Sequence, residues 1–303
     1  MRRLLLSSAV LVASLSCSAD QISVSPTRPP ITGIALVVVR VSDAKTSLDF
    51  YGKELGLGMN SVNCGGPDSP CLAIGGPQLV ALDRGDIHSY SNLIMELSFR
   101  TDDVLALQRY LTAQGMHPGE VGLSGNGRRI FHAVDPERHA VAFIESRPGE
   151  VSPTPSQVST RLIHAGFVVH NREAEDKFYK DILGFHVYWH GGMKDDQDNW
   201  VDMQVPDGTD WIEYMLKVPD NATHKQLGVM NHIALGVPDI RAAQAQLIKN
   251  GWKGTEEPKI GRDGKWQLNL YDPDETRVEL MEFKPTKEPC CSPYTGPHPG
   301  PSQ

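Results

Sequence analysis

No stretch of the chain holds eighteen uninterrupted apolar residues, so nothing in its body reads as a membrane-crossing helix. A long basic run is missing too, and acids outnumber Lys and Arg by 37 to 29, for a net charge of −8. Those two absences argue against nucleic acid as a partner. Cysteine is scarce, with five residues in 303. What remains is the balance of a soluble globular protein, 40% hydrophobic and 22% charged, with length for two ordinary domains or one large one.

The two ends differ from the body. Arg2 and Arg3 precede an apolar run, Leu4 to Leu15, and then small residues, the pattern of an export signal over residues 1–19. Two processing readings compete: cleavage after Ala19, giving a secreted or periplasmic protein, or a lipid anchor at Cys17, with Ser14 at odds with the usual lipobox. Without residues 1–19 the net charge becomes −10, because two Arg and no acids leave. Residues 20–30 and the Pro/Gly-rich tail over 287–303 are expected to be disordered. Cys64 and Cys71 flank a Gly/Pro-rich loop and are able to bridge in an oxidising compartment. The adjacent Cys290 and Cys291 read as surface thiols or an unusual disulfide rather than a metal site.

An internal repeat organises the rest. Phe50-Tyr51-Gly52-Lys53-Glu54-Leu55-Gly56 returns as Phe178-Tyr179-Lys180-Asp181-Ile182-Leu183-Gly184, offset by 128 residues. Each string follows a β-rich run, Ile34 to Val41 or Leu162 to Val169, and ends a helix at a glycine cap. A second pair of helices ends near Gly115 and Gly251, and each leads to a hairpin with an Asp-Pro turn, Asp135-Pro136 and Asp272-Pro273, offset by 137 residues. The chain therefore reads as four βαβββ units beginning near residues 31, 92, 161 and 231. One unit has too little core to stand alone, so the units pair into domains over 31–147 and 161–286, joined by the Pro/Ser/Thr-rich residues 148–160.

This α+β arrangement resembles the vicinal oxygen chelate superfamily, which includes glyoxalase I, bleomycin-resistance proteins and extradiol dioxygenases. The resemblance implies that two paired units form a cup around one metal ion.

Four residues in short apolar strand-like runs are candidates for that ion: His164, Glu213, His232 and Glu279. Strand side chains alternate between faces, which puts His164 with Leu162 and Gly166, and Ile163 toward the helix. A carboxylate on such a surface must be solvated, paired or metal-bound. Taken alone, a strand His is more often structural than ligating, but these four positions recur through the repeat. The resemblance sharpens the point: in glyoxalase I-like members each unit supplies one ligand from its first strand and one from its last. His164 and His232 match the first-strand positions, Glu213 and Glu279 the last-strand ones. The first domain holds Leu36, a residue near Ala81, Glu96 and Ala142 in those places, so its site is expected to be degenerate and Glu96 to be a surface or paired carboxylate.

The resemblance also implies chemistry on a small-molecule substrate. One divalent ion (Ni, Zn, Co, Mn or Fe) would stabilise an enolate while Glu279 or Glu213 acts as base, a glyoxalase I-like lyase or isomerase step on an α-hydroxycarbonyl-type compound. Glutathione fits poorly, since Val168 and Lys217 stand where Arg and Asn are expected. A second reading is an extradiol-type Fe(II) dioxygenase using His164, His232 and Glu279. Against it, Gly264-Lys265-Trp266-Gln267-Leu268-Asn269 lacks the His and Tyr such enzymes usually carry before the Asp-Pro turn, and Glu213 would crowd the ion. A third is a binding protein of the bleomycin-resistance type. His88, His117, His132 and His139 are expected at the surface; His186 and His190 flank Trp189 and are read first as ordinary surface groups, with a place for one of them at the pocket mouth as the lesser alternative. Gly191 to Asn199 reads as a solvated loop or lid, and Arg262, Lys265 and Trp266 as a cover over the pocket.

Overall fold

The computed structural model describes residues 26–60, 64, 69–147 and 154–301. The expected export signal, residues 20–25 and residues 148–153 of the linker lie outside the described residues.

The first sheet is built from Ile31–Val41 (β1), Gly58–Asn60 (β2), Cys71–Gly75 (β3), Gln78–Arg84 (β4), Ile94–Thr101 (β5), Gly122–Leu123 (β6), Arg129–Val134 (β7) and Ala140–Glu145 (β8). The second is built from Arg161–Val169 (β9), His186–Gly191 (β10), Trp200–Gln204 (β11), Trp211–Leu216 (β12), His232–Val237 (β13), Lys259–Ile260 (β14), Trp266–Tyr271 (β15) and Arg277–Glu282 (β16). Both sheets have eight strands in the same order, β2-β3-β4-β1-β5-β8-β7-β6 and β10-β11-β12-β9-β13-β16-β15-β14. In each, the first strands of two units lie antiparallel at the centre (β1 on β5, β9 on β13), and each runs parallel to its own unit's last strand. The four units thus form two tandem domains of α+β type.

Helices α1 (Ala44–Leu48), α2 (Val104–Ala113), α3 (Arg172–Asp176) and α5 (Ile240–Asn250) start at Asp43, Asp103, Asn171 and Asp239, whose side chains accept from a backbone N–H three residues on. A further helix, α4 (His224–Met230), is capped by Thr223 and Gln226. The two helices carrying the Phe-Tyr strings do not stay α-helical. They widen into π turns over Asp49–Glu54 and Lys177–Ile182, which lets adjacent rings (Phe50 with Tyr51, Phe178 with Tyr179) both bury.

Strand alternation breaks at one informative place. A register shift in β9 next to His164 sends Leu162 into the large shared core and leaves Ile163 on the side of Trp211. The expectation that Leu162 shares the face of His164 is corrected by this bulge. The shift recurs in β1, where Ile34 is in the shared core and Ala35 is not.

One apolar cluster runs through both domains. Two pseudo-equivalent crossings stitch them together: the Tyr51 hydroxyl donates to Asp272 Oδ2 at 3.0 Å, and the Tyr179 hydroxyl to Asp135 Oδ2 at 3.1 Å. Asp272 Oδ1 also accepts the backbone N–H of Asp274 and Thr276, so the Asp-Pro turn is tied to the opposite domain's helix. Removing the hydroxyl by Tyr51→Phe is expected to cost about 1.5–3 kcal/mol, since a buried carboxyl loses a donor. Urea unfolding measures it, and a change below about 0.5 kcal/mol would mean the crossing carries no weight.

Where described, at residues 26–30 and 287–301, both ends depart from the expectation of disorder. Arg28 pairs with Asp207 at 2.8 Å. The tail, irregular but folded back over residues 287–301, packs on the second domain. Tyr294 packs against Tyr188 with ring centroids 4.7 Å apart and planes tilted by 46°, and its hydroxyl donates to the Asp263 carbonyl at 2.8 Å. Composition marks Pro/Gly-rich chain as unable to form its own core, but here the core is borrowed. Disulfides join Cys64 to Cys71 and Cys290 to Cys291. No helix among the described residues is long and apolar enough to cross a membrane.

Candidate metal centre

The four sequence-predicted residues come from the four central strands of the second sheet. In register, His164 on β9 lies opposite Ala234 of β13, Ala234 lies opposite Glu279 of β16, and Gly166 lies opposite both His232 of β13 and Glu213 of β12. Gly166 is a requirement of the site, because a Cβ there would collide with the His232 ring. The absent side chain opens the gap through which the imidazole crosses β9.

The structure brings all four side chains together. His164 Nε2 and His232 Nε2 are 3.0 Å apart. Glu213 Oε2 lies 3.1 Å from His232 Nε2 and 3.9 Å from His164 Nε2. Glu279 Oε2 lies 3.6 Å from His164 Nε2 and 3.9 Å from His232 Nε2. His164, His232 and Glu279 offer ligand atoms all within 4.8 Å of one another. His164, His232 and Glu279 are 1%, 0% and 2% exposed.

These separations suit a divalent ion. Two ligands about 2.1 Å from an ion stand about 3.0 Å apart at a right angle and about 4.2 Å apart when opposite. Each of these five distances falls in that span. Two ionised carboxylates and two neutral imidazoles balance a 2+ charge. Burial, then the charges of His232 and Arg277, hold the His164 imidazole well below its ordinary range. Burial, then Arg277, does the same to His232. Both rings are therefore neutral, as ligands must be. His232 Nδ1 donates to the Met230 carbonyl at 2.9 Å, which leaves its Nε2 lone pair aimed at the centre. Burial pushes the Glu213 and Glu279 carboxyls up to about 7, despite Arg277 working the other way on both. The four groups lack a cation of their own, and one divalent ion supplies it. His164, His232 and Glu279 form the candidate site for it, with Glu213 within reach.

The cup over this centre has a volume of about 330 Å³. Trp189, Trp200, Trp211, Met193 and Met281 give it apolar walls, and Lys259, Arg262 and Arg277 put cations on its rim. Trp211 also backs His164, with ring centroids 4.6 Å apart. Trp189 lines the cup, whereas neither His186 nor His190 does: His190 turns away to Asp198 at 2.7 Å, so the lesser alternative of a histidine at the mouth is not met. The Gly191 to Asn199 loop reaches over the mouth through Met193 and is tied there by Arg262, which donates to the Gly192 carbonyl and pairs with Asp195.

Lys265 is the main surprise. Expected as part of a cover, it is fully buried, and its Nζ has no hydrogen-bond partner among the described residues. The ammonium sits among the rings of Trp211, Tyr294 and Tyr188 at 4.5, 5.1 and 5.2 Å. Burial lowers its pKa, and Asp263, Asp202, Glu279 and Glu213 oppose that. Asp202, opposite Glu213 on β11, and Asn269, opposite Glu279 on β15, also line the cup and were missed. Strand alternation alone would have placed Asn269, since it shares its face with Gln267 two residues before. Nothing local singles out Asp202. Trp266 lies outside the cup wall, under Arg241 at 5.5 Å.

The first domain answers the control. Its register is the same: Leu36 opposite Ser98, Ser98 opposite Ala142, and Val38 opposite both Glu96 and Ala81. Leu36, Ala81, Glu96 and Ala142 thus occupy the places of His164, Glu213, His232 and Glu279, and only Glu96 is able to ligate. It pairs instead with His132 at 3.3 Å. His139, expected at the surface, is largely covered, bound to Asp135 at 2.7 Å and set against Phe167.

A family model described as the Glyoxalase/Bleomycin resistance protein/Dioxygenase superfamily matches residues 33–143 and 161–280. No curated protein matches the chain in sequence. Among solved structures, homoprotocatechuate 2,3-dioxygenase from Arthrobacter globiformis is similar, 18% identical with a TM-score of 0.63 over 86% of this chain and 83% of that one. The homologous enzyme from Brevibacterium fuscum, solved as an anaerobic complex with 3,4-dihydroxyphenylacetate, is 19% identical with a TM-score of 0.60 over 85% and 82%. At this identity the likeness speaks for the fold. With both repeats matched in full succession and the same cup built twice, this chain belongs to the Glyoxalase/Bleomycin resistance protein/Dioxygenase superfamily.

Proposed function

We propose that the second domain is the catalytic half of an extradiol-type dioxygenase, holding Fe(II) through His164, His232 and Glu279 and acting on a small acidic catechol-class compound. The observation that carries this reading is the compact set of two imidazoles and one carboxylate, all within 4.8 Å. The dioxygenases that resemble the chain over both domains support it. His164, His232 and Glu279 would hold the iron, which when bound would supply the electron transfer between a diol substrate and dioxygen.

The chain's own groups then have definite roles. Trp189, Trp200 and Trp211, which line the cup, offer apolar faces for a flat ring. Arg262, Arg277 and Lys259 favour a substrate bearing a carboxylate. Glu213, with its carboxyl pushed up to about 7, is placed to take the proton that a diol hydroxyl sheds. That role substitutes for the missing His and Tyr ahead of the Asp-Pro turn. Lys265 sits behind Trp211 and offsets the charge of the surrounding acids.

One observation favours the glyoxalase I-like lyase or isomerase as a second reading: Glu213 Oε2 comes within 3.1 Å of His232 Nε2, close enough to be a fourth ligand. The chain reconstituted anaerobically with Fe(II) and mixed with aerated 3,4-dihydroxyphenyl acids is expected to consume about one dioxygen per substrate, with the absorbance of a ring-opened product. An oxygen electrode and a spectrophotometer read both. No uptake across such a panel, with α-proton exchange on hydroxycarbonyl compounds by the nickel-loaded chain, would replace this reading by the second. We also read the chain as exported; the Cys64–Cys71 and Cys290–Cys291 disulfides support that placement.

A further inference from the structure

Asp135 and His139 sit in the turn between β7 and β8 of the first domain, and Glu175 sits on α3 of the second. Ligand atoms from the three lie within 4.8 Å of one another. We propose that they form a second, inter-domain site for a divalent ion of the zinc or manganese class, separate from the cup.

The first support is a buried carboxyl oxygen without a donor. Glu175 is 0% exposed; its Oε1 accepts the Glu137 N–H at 2.9 Å, its Oε2 meets no N–H or hydroxyl donor among the described residues, and its carboxyl lies in hydrogen-bond reach of the Asp135 carboxyl. Asp135, 4% exposed, carries the neighbouring carboxyl. Two buried carboxyls side by side need a shared proton or a cation between them. Burial, then the Asp135 charge, pushes Glu175 up to about 8, the mark of a place that lacks positive charge.

The second support is internal to the chain. At the pseudo-equivalent crossing, Tyr51 donates to Asp272 just as Tyr179 donates to Asp135. There the repeat offsets put Ser47 in the place of Glu175 and Thr276 in the place of His139. The fold makes the same crossing with neither an acid in the place of Glu175 nor an imidazole in the place of His139, so the crossing itself does not require those two residues. A bound ion does.

The donor set and its surroundings fit. One imidazole with two carboxylates suits zinc or manganese. His139 Nδ1 and Asp135 Oδ2 are 2.7 Å apart, and ligands at a right angle stand about 3.0 Å apart, so the pair has to open by only about 0.3 Å. Tyr179, donating to Asp135 Oδ2, orients that carboxylate. Of the three, His139 lines a cleft of about 300 Å³, together with Glu137, His170 and Asn231.

Metal counting on the full chain after equilibration with zinc alone tests this. The wild type is expected to hold about two equivalents, His232→Ala about one, and Glu175→Ser with His139→Thr about one. The three changes combined are expected to hold none. The serine and threonine are the residues of the other crossing, which keeps the fold in reach. Should that pair fail to fold, Glu175→Gln, which keeps the Glu137 contact, is measured in its place and is expected to lose the same equivalent. Zinc is expected to raise the Tm of His232→Ala and to leave that of the combined variant unchanged. Unaltered zinc content and Tm response on replacing Glu175 and His139 would overturn the proposal in favour of a shared proton. Because the cup is disabled in the His232→Ala background, this outcome is independent of the dioxygenase reading.

Discussion

Replacing His232 or Glu279 by Ala is expected to empty the cup. Each change removes one of three buried ligands whose atoms lie within 4.8 Å. Losing even a group that merely orients a ligand costs about 10–100-fold in metal affinity, so losing a ligand is expected to cost more than about 100-fold. Glu96→Ala is the matched control: Glu96 holds His232's place in the first sheet, but Leu36, Ala81 and Ala142 surround it where ligands would be. Its affinity is expected to stay within about twofold of wild type. Competition against a chromophoric chelator reads all three. Equal losses for the three would move the site out of the second domain.

The second large effect is on pH. In the metal-free chain Glu213 and Glu279 keep their protons up to about 7, against an ordinary 4.5. The folded state thus binds more protons than the unfolded one, and the resulting stability, fully present below pH 4.5, drains away as pH rises through about 7. His164 and His232 work with the opposite sign. Their lowered pKa means that the unfolded chain takes up protons first, so stability falls as pH drops below the ordinary 6.5. Metal binding needs Glu279 ionised and both rings neutral, and Glu213 ionised as well where it serves as a fourth ligand. Between pH 5.5 and 7 the rings stay neutral and the carboxylates release one to two protons per ion. Affinity is then expected to rise about 30- to 1000-fold over that interval and to level off above it. The same chelator competition, repeated across pH, measures it; a rise below about threefold would mean the carboxylates are not displaced.

How much was legible in advance follows from what repeats. The Phe-Tyr strings and Asp-Pro turns recur, so the four units, the two sheets and the four central positions could be placed by offset, and His164, Glu213, His232 and Glu279 meet in space. What does not recur was hidden. The bulge beside His164 swaps Leu162 and Ile163 between faces, which a strict two-residue period cannot anticipate. Lys265 looks like a loop cation because the rings that cage it, Tyr188, Trp211 and Tyr294, lie far apart in the chain. The tail looks disordered by composition because the surface that orders it belongs to β10 and the loop before β15. His139 and Glu175 look like ordinary polar residues until the two domains are set against each other.

Glu213 decides between the two catalytic readings. As a proton acceptor beside a three-ligand ion it serves ring cleavage; as a fourth ligand it leaves too little room for a diol and dioxygen together. Glu213→Gln separates these roles, since a lost ligand weakens metal binding whereas a lost base lowers turnover with the ion retained.

Diffraction from crystals loaded with iron, collected on either side of the iron absorption edge, tests the central claim most directly. An anomalous peak is predicted inside the second sheet, about 2.0–2.3 Å from His164 Nε2, His232 Nε2 and a Glu279 oxygen. A cup without such a peak, or imidazoles and carboxylate turned toward different places, would contradict it.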